Sequence, residues 1–460
     1  RPGPGDMGSA AGQSAILFRL SHCGIVSADR TKIAPSGWTH SYCDEARGMA
    51  GSTHETAVSE CAGPQIWGIH RFYSHSEGIA AAVDDCSSLL IIEELLADGL
   101  AWEQATDSLR QEAVAMVTAI AADAVCVGGL RVSLLLSEKV AELLGQRRCL
   151  PTELRIVRLK CSLDTWLQSP KRQDIGPTQL ILMIAPESGG VLVRRLQVLQ
   201  SELWRGTETL NLPWILAETF ADKFRTSQWL QARGLPTPET WLLSPEQAEA
   251  LRTRGLVTAA DDSDLSGEEW TAVLKPRDGV GCEHVGLLHL SSRELASVVN
   301  SSKPADINAS WILQPWVPGL ACSIGLIGGG AKSNTVILPA GRQTLRRHGA
   351  AVRYCGGEIP CETAINAAIT PLAQALATAI GPFCGWLGAD IVVHQNSGGD
   401  VSATIIEINP RLCTSYAGYR QLACGNLAEW LLQRAGSERV EWRAGVIRFG
   451  ADGRARLDQG

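Results

Sequence analysis

Two short segments carry residue types whose spacing could do chemistry. In Leu274-Lys275-Pro276-Arg277-Asp278-Gly279-Val280-Gly281 a cation stands beside a glycine-rich turn. Such a turn can fold over a ligand and aim its amides at phosphate oxygens, while lysine adds a point charge. It is not a Walker motif, because the lysine precedes the glycines and no Gly-Lys-Ser/Thr follows. In Ile406-Glu407-Ile408-Asn409-Pro410-Arg411, polar and apolar residues alternate. Residues i and i+2 of a strand face the same way, so Glu407 and Asn409 share one face and the isoleucines take the other. A carboxylate with an amide oxygen suits Mg²⁺, which takes one or two carboxylates plus phosphate and water oxygens. Asp390, on the preceding strand, is the natural second carboxylate. Arg411 offers a planar fork for a carboxylate or acyl phosphate. The two segments predict an enzyme that holds Mg-ATP and activates a carboxylate.

The elements that must position these residues are legible in outline. Ser88–Ile92, Leu130–Leu136, Arg155–Leu159 and Gln179–Ala185 read as strands. Helices over Ser108–Ala122 (with Ser108 as N-cap), Ser137–Gly145 and Cys161–Gln168 alternate with them. Alternation of this kind predicts an α/β layer on a mostly parallel sheet. A second unit begins near Leu216, with a helix over Thr219–Arg233 ended by Gly234 and strands at Trp241–Leu243 and Thr271–Lys275. Further strands are expected at Val285–Leu290, Ile312–Val317, Ser323–Ile327 and Thr335–Ala340, and a helix at Thr370–Ile380. Ala389–Val393 and Ala403–Ile408 should pair through a polar turn, and Leu427–Arg434 should close the unit with a helix. The domain reading is an extension over 1–88, an α/β domain over 89–215, the nucleotide domain over 216–435 and a tail over 436–460.

Composition sets bounds. The 460 residues exceed what one core organises, so two to four domains are expected. Hydrophobic content of 45% and charged content of 19% are those of a globular chain, and a net charge of −7 gives no footprint for nucleic acid. The 14 cysteines form no C-x-x-C pair, which points to reduced thiols and a cytoplasmic setting. Cys282 and Cys413 lie in the two motifs and read as space-filling residues rather than nucleophiles. His22, Cys23, His40, Cys43, His54, Cys61, His70 and His75 match no zinc-finger spacing. The uncharged stretch Ile307–Ala331 holds Pro315, Pro318 and five glycines, so it reads as strand, turn and strand rather than a membrane span. No secretory signal is visible at the N-terminus.

In these residues the chain resembles the ATP-grasp superfamily. Lys275 with its glycine turn, Asp390, Glu407-x-Asn409 and Arg411 follow its order. Ala221-Asp222-Lys223 is similar to the segment supplying the first phosphate-binding lysine. Gln314-Pro315-Trp316-Val317-Pro318-Gly319 is similar to the hinge whose backbone reads adenine. The resemblance implies an N-terminal α/β pre-ATP-grasp domain followed by a two-lobed α+β ATP-grasp domain. A narrower likeness, in Ile184–Gly190, Gly234–Thr240, Gly341-Arg342-Gln343, Tyr354–Gly357 and Glu407–Tyr416, is to tyramine–glutamate ligases of methanofuran biosynthesis. Their bacterial relatives serve one-carbon metabolism. Two departures stand out. The carboxylate usual after the hinge glycine is replaced by Leu320-Ala321, and Cys413 stands where many relatives carry a small residue or threonine.

The resemblance implies these roles. Lys223, Lys275, Gly279 and Gly281 contact the phosphates of ATP, and Gln314, Trp316 and Val317 border the adenine. Asp390, Glu407 and Asn409 hold one or two Mg²⁺ ions, with Mn²⁺ as a substitute. Arg411 and Lys275 act in catalysis. Gln343, Arg342 and Tyr416 are candidates for substrate contact, with Arg346, Arg347, Arg353 and Tyr419 as further candidates. The implied partners are a small carboxylate, glutamate first, and an amine, tyramine or tyrosine. A homo-oligomer is compatible with this reading; nucleic acid and membrane are not expected. A regulatory or assembly protein that binds ATP without turnover, and another ATP-grasp peptide ligase, remain as alternatives.

Overall fold

The computed structural model describes residues 87–147, 149–169, 178–253, 269–280, 284–302, 308–330, 335–348, 351–395, 401–433 and 439–458. The extension up to Cys86, with its histidines, and Cys282 and Gly281 fall outside these residues.

Five parallel strands form the first sheet: β1 (Ser87–Glu93), β2 (Leu130–Ser137), β3 (Arg155–Leu159), β4 (Leu180–Ile184) and β5 (Glu208–Thr209), in the order β3-β2-β1-β4-β5. The central strand β1 is buried along its whole length, and its apolar run serves both faces. Leu89 and Ile91 pack with Met116 and Ile120 of helix Asp107–Ala124, whereas Leu90 and Ile92 pack with Trp166 and Leu196 on the opposite side. Sheets covered on both faces read as continuous apolar runs for this reason. The helix begins one residue before Ser108. Thr106 is its N-cap, its hydroxyl accepting from the Leu109 amide at 3.4 Å, while Ser108 lies inside and donates to Glu112.

The second sheet is antiparallel in two lobes. The smaller contains β6 (Trp241–Leu243), β7 (Glu269–Pro276), β8 (Gly286–Ser291) and β9 (Trp311–Pro315), in the order β8-β7-β9-β6. The larger contains β10 (Leu320–Gly329), β11 (Val336–Ile337), β12 (Gly341–His348), β13 (Ala351–Ile359), β14 (Cys384–Gln395), β15 (Val401–Asn409), β16 (Val446–Gly450) and β17 (Ala455–Asp458). A backbone pairing of Ala351 with Gly286 links them. Each lobe has its own core, around Leu274, Leu288 and Leu313 in the smaller and Ile324, Leu387 and Ile405 in the larger. Helix Thr363–Ile380 lays Ile369, Leu372, Ala373 and Leu376 on the larger core. Among the described helices it is the one long and apolar enough, by length and composition, to cross a membrane. The uncharged stretch Ile307–Ala331 instead supplies β9, the hinge and β10.

Three local expectations change. The helix expected over Thr219–Arg233 is two helices, Trp214–Ala221 and Lys223–Gln231. Asp222 breaks them because its side chain accepts from the Phe224 and Arg225 amides at 3.0 and 3.1 Å, which requires an extended backbone at the cap. The closing helix is short, Leu427–Leu431. Residues 446–458, read as part of a tail, form the β16–β17 hairpin and extend the larger lobe through β13.

Candidate functional site

Strand alternation and pairing assemble the acidic half of the site. Asp390 on β14 lies opposite Glu407 on β15, with a register shift just beyond Asp390. Asn409 follows on the same face and donates from Nδ2 to Asp390 Oδ2 at 3.2 Å. Gln343, on β12, donates to Asp390 Oδ1 at 2.7 Å. Burial and the neighbouring Glu407 charge push the Asp390 carboxyl up to about 6, against those two hydrogen bonds. Gly388 pairs with Asn409; a Cβ there would lie 2.6 Å from Cys413 Sγ, so the close strand packing beside the acids needs glycine.

The cations arrive from the other side. Lys275, near the end of β7, and Lys223, first in its helix, are both buried. Lys223 Nζ is 3.0 Å from Glu407 Oε1 and Lys275 Nζ is 3.7 Å from Oε2. Burial alone would raise the Glu407 carboxyl, but the two lysines outweigh it and hold the group below its ordinary value. Lys223 also donates to the Gly279 carbonyl, and its backbone amide donates to Arg277 O at 3.0 Å. Arg277 in turn grips Asp222 through Nε at 2.9 Å and Nη2 at 2.7 Å. The Asp222 that breaks the helix therefore fixes both the first lysine and the glycine turn after the second.

Two carboxylates side by side, an amide and two lysines form a hard-oxygen donor set bordered by phosphate-seeking cations. Asp390 and Glu407, paired across the strands with Asn409 beside them, are oxygen donors of the kind that suit Mg²⁺.

The hinge runs from β9 to β10. Gln314 is buried, its side chain donates to Thr240 Oγ1 at 2.9 Å, and its backbone pairs with Val273 of β7. Trp316 and Val317 are half-buried, and the Trp316 amide donates to Thr271 O at 2.9 Å.

The first domain reaches this site, which the motifs had not indicated. Arg411 is not open to the cleft alone: its Nε lies 3.0 and 3.1 Å from the two oxygens of buried Glu187, just after β4. Burial would lower the guanidinium pKa, but Glu187 more than offsets this and keeps it charged. Gly189 donates its amide to Asp278 of the glycine turn at 2.8 Å. Glu187 and Gly189 belong to the run Ile184–Gly190, whose paired glycines were the available signal. Gly189 and Gly190 have φ of 59° and 66°.

Other expected contacts are corrected. Tyr416 is fully buried, packs edge-on against Trp386 with centroids 5.5 Å apart and donates to Asp123 Oδ2 at 2.8 Å. It fastens the helix Asp107–Ala124 beside the first sheet to the larger lobe and cannot stack on a ligand. Tyr419 is likewise buried, donating to Pro339 O. Arg342 points away from Gln343, as adjacent strand residues must, and pairs with Glu358 and Glu362 at 4.0 and 3.8 Å. Arg346 and Arg353 are cross-strand neighbours and exposed. The Cys413 thiol is pushed by burial up to about 12, which fits packing rather than nucleophilic attack.

Residues 220–415 match the ATP-grasp domain family. None of the curated proteins matches the chain. Among solved structures, a protein from Archaeoglobus fulgidus assigned to the ATP-grasp superfamily aligns over 79% of this chain and 92% of its own, at 18% identity and TM-score 0.51. The ADP complex of the N5-carboxyaminoimidazole ribonucleotide synthetase PurK aligns over 79% and 80%, at 16% identity and TM-score 0.50. The biotin carboxylase domain of Hydrogenobacter thermophilus 2-oxoglutarate carboxylase, with MgADP and bicarbonate, aligns over 79% and 73%, at 13% identity and TM-score 0.50.

Proposed function

From the match of residues 220–415 to the ATP-grasp domain family, we propose that the chain is an ATP-grasp enzyme, an ATP-dependent carboxylate–amine ligase working through an acyl phosphate. The observation that carries the reading is the convergence of Lys223 and Lys275 on Glu407, itself paired across the strands with Asp390.

The two lysines bind the polyphosphate, and the turn at Gly279 closes over it. The hinge backbone at Trp316 and Val317 borders the adenine. Asp390, Glu407 and Asn409 would hold Mg²⁺, which when bound neutralises phosphate oxygens. The substrate carboxylate attacks the γ-phosphorus and the bridging P–O bond breaks to release ADP; Arg411 balances the charge of the resulting acyl phosphate, and a neutral amine forms the C–N bond as the C–O bond to phosphate breaks, phosphate leaving with the nitrogen's proton. Phosphoryl transfer of this type depends mainly on positioning and charge neutralisation. Gln343, tied to Asp390, borders the place where the acid must lie.

The narrower reading is that glutamate is joined to tyramine or tyrosine. It rests on the motif likeness, and is supported by the contacts of Gln343 with Asp390 and of Arg411 with Glu187. Phosphate release from Mg-ATP with L-glutamate and a panel of amines tests it. Release that requires both glutamate and tyramine or tyrosine supports the assignment; release with another acid–amine pair moves it to another ligase. ATP binding with no release for any pair favours an ATP-binding regulatory protein, for which the replacement of the post-hinge carboxylate by Leu320-Ala321 is the favouring feature.

A further inference from the structure

The glycine turn and the strand end at Arg411 touch the same loop of the first domain. That loop, Pro186–Gly190, joins β4 to the helix Val191–Leu199. Arg411, just past β15, meets Glu187, with Nε 3.0 and 3.1 Å from its two oxygens. Asp278, in the turn after β7, accepts the Gly189 amide on Oδ2 at 2.8 Å. Two residues of one short loop therefore hold the phosphate turn and the arginine at a set separation.

The loop is braced from within. The Gly190 amide donates to Glu187 O at 3.0 Å and the Leu192 amide to Pro186 O at 3.1 Å, while the Arg194 side chain donates to the Gly189 carbonyl. Gly189 and Gly190 hold consecutive left-handed φ values, which glycine adopts without steric cost. The helix that follows is anchored in the core of the first domain through Leu192 and Leu196.

Each contact presents a working group. Glu187, itself buried, takes the Nε edge of Arg411, and the Leu412 carbonyl takes Nη1 at 3.3 Å. The Arg411 Nη2 makes no hydrogen bond among the described residues. A planar guanidinium fixed along its Nε edge keeps its distal nitrogens in one orientation. In the turn, the Lys223 amide holds Arg277 O and its Nζ reaches Gly279 O. Asp278 stands between those two residues, and its side chain ties the turn to the first domain.

We propose that the loop Pro186–Gly190 is a strut that positions both halves of the site: Glu187 orients Arg411 for the acyl phosphate, and the Gly189 amide holds the glycine turn over the nucleotide phosphates through Asp278. The proposal deepens the ligase reading and rests on it. Glu187 and Asp278 are positioning residues; neither touches the reacting atoms. Their effects fall at different stages, that of Asp278 on nucleotide binding and that of Glu187 on the step after it. Phosphoryl transfer is sensitive to such placement, since a shift of about 1 Å costs on the order of 10²-fold.

The test reads the two stages separately. Calorimetric binding of Mg-ATP, which needs no turnover, tests Asp278. Asp278→Ala should raise Kd about fivefold, whereas Asp278→Asn, which keeps an acceptor for the Gly189 amide, should stay within about twofold of wild type. Turnover with the acid–amine pair found by phosphate release tests Glu187. Glu187→Gln should lower kcat by about 10–10²-fold, with the Kd for Mg-ATP within about twofold of wild type. In an Arg411→Ala background the same substitution should cost no further kcat, because Glu187 acts through Arg411. Wild-type Kd in Asp278→Ala, wild-type kcat in Glu187→Gln, or an undiminished loss in the Arg411→Ala background overturns the proposal. Failure of the wild type to release phosphate with any acid–amine pair overturns the ligase reading instead, and the Asp278 variants still decide the turn contact.

Discussion

Lys223 and Glu407 meet across the cleft, Nζ to Oε1 at 3.0 Å, although one opens a helix and the other closes a strand of the larger lobe. Lys275 approaches the second oxygen of the same carboxylate at 3.7 Å. One half-buried acid thus gathers the cation from each of two separate segments, and Asp222 locks the arrangement by capping the Lys223 helix and holding Arg277. Both cations are buried and directed at the same carboxylate.

The hinge glycine should be intolerant of any side chain. Gly319 has φ +153°, and a Cβ there would lie 2.4 Å from Val393 O, a backbone atom that cannot step aside. Gly234 also has positive φ, +68°, but nothing lies within 4 Å of its Cβ position. Thermal unfolding should show Gly319→Ala destabilised by about 2–4 kcal/mol and Gly234→Ala by only about 1 kcal/mol. Equal effects would mean that hinge packing is looser than the geometry indicates.

Tyr416→Phe tests the reassignment of Tyr416 from ligand contact to interdomain fastener. The variant keeps the ring against Trp386 and loses the hydrogen bond to Asp123, which Arg420 still holds at 2.6 Å. Stability should fall by about 1 kcal/mol, while KM for every substrate stays unchanged. A rise in KM for the amine without loss of stability would restore the stacking role.

The pH dependence of stability should carry the signature of Glu93. Burial pushes its folded carboxyl up to about 8, well above the ordinary glutamate value of about 4.3. Between those values the folded chain holds a proton that the unfolded chain has released, so stability falls as pH rises through that window. The penalty is fully present above the folded value and absent below the unfolded one. Glu93→Gln should therefore unfold at higher denaturant than wild type at the alkaline end of the window, by an amount on the order of a few kcal/mol. Parallel pH profiles for the two proteins would rule this out.

Thiol reactivity should divide the cysteines by environment. Cys126, Cys161 and Cys424 are exposed. Burial pushes the thiols of Cys322 and Cys413 up to about 12, and that of Cys361 up to about 11. Maleimide followed by peptide mapping should label Cys126, Cys161 and Cys424 in the native protein and the buried Cys322 and Cys361 only after denaturation, with half-buried Cys413 labelled slowly. Rapid native labelling of Cys413 would reopen its reading as a nucleophile.

The half of the site built on strands was legible because alternation is a local rule. Glu407 and Asn409 had to share a face, and the polar turn before Val401 had to return the chain past Asp390. The rest depends on pairing that sequence does not display. Both sides of Asp222 are good helix formers, so the break became visible only through the capping hydrogen bonds. Tyr416 sits in a conspicuous motif, yet its role is decided by Asp123, on a helix of the other domain. Arg342 and Gln343 are neighbours in a polar segment; only the register of β12 sends one to the acids and the other to Glu358. Glu93 ends an apolar run like many strand ends, and its burial follows from a sheet order that no single segment contains. The β16–β17 hairpin was overlooked because a short alternating run such as Val446–Phe449 looks like a tail until β13 is seen to lie beside it.

The central claim is that Glu407, shared between two lysines and facing Asp390, belongs to a working Mg-ATP site. Its most direct test is Mg-ATP-dependent phosphate release by Glu407→Gln beside wild type, with the acid–amine pair that supports turnover. The account predicts a loss of roughly 10²–10³-fold or more, as for removal of a well-placed charge stabiliser, with an unchanged far-ultraviolet circular dichroism spectrum. Wild-type turnover in that variant would contradict it.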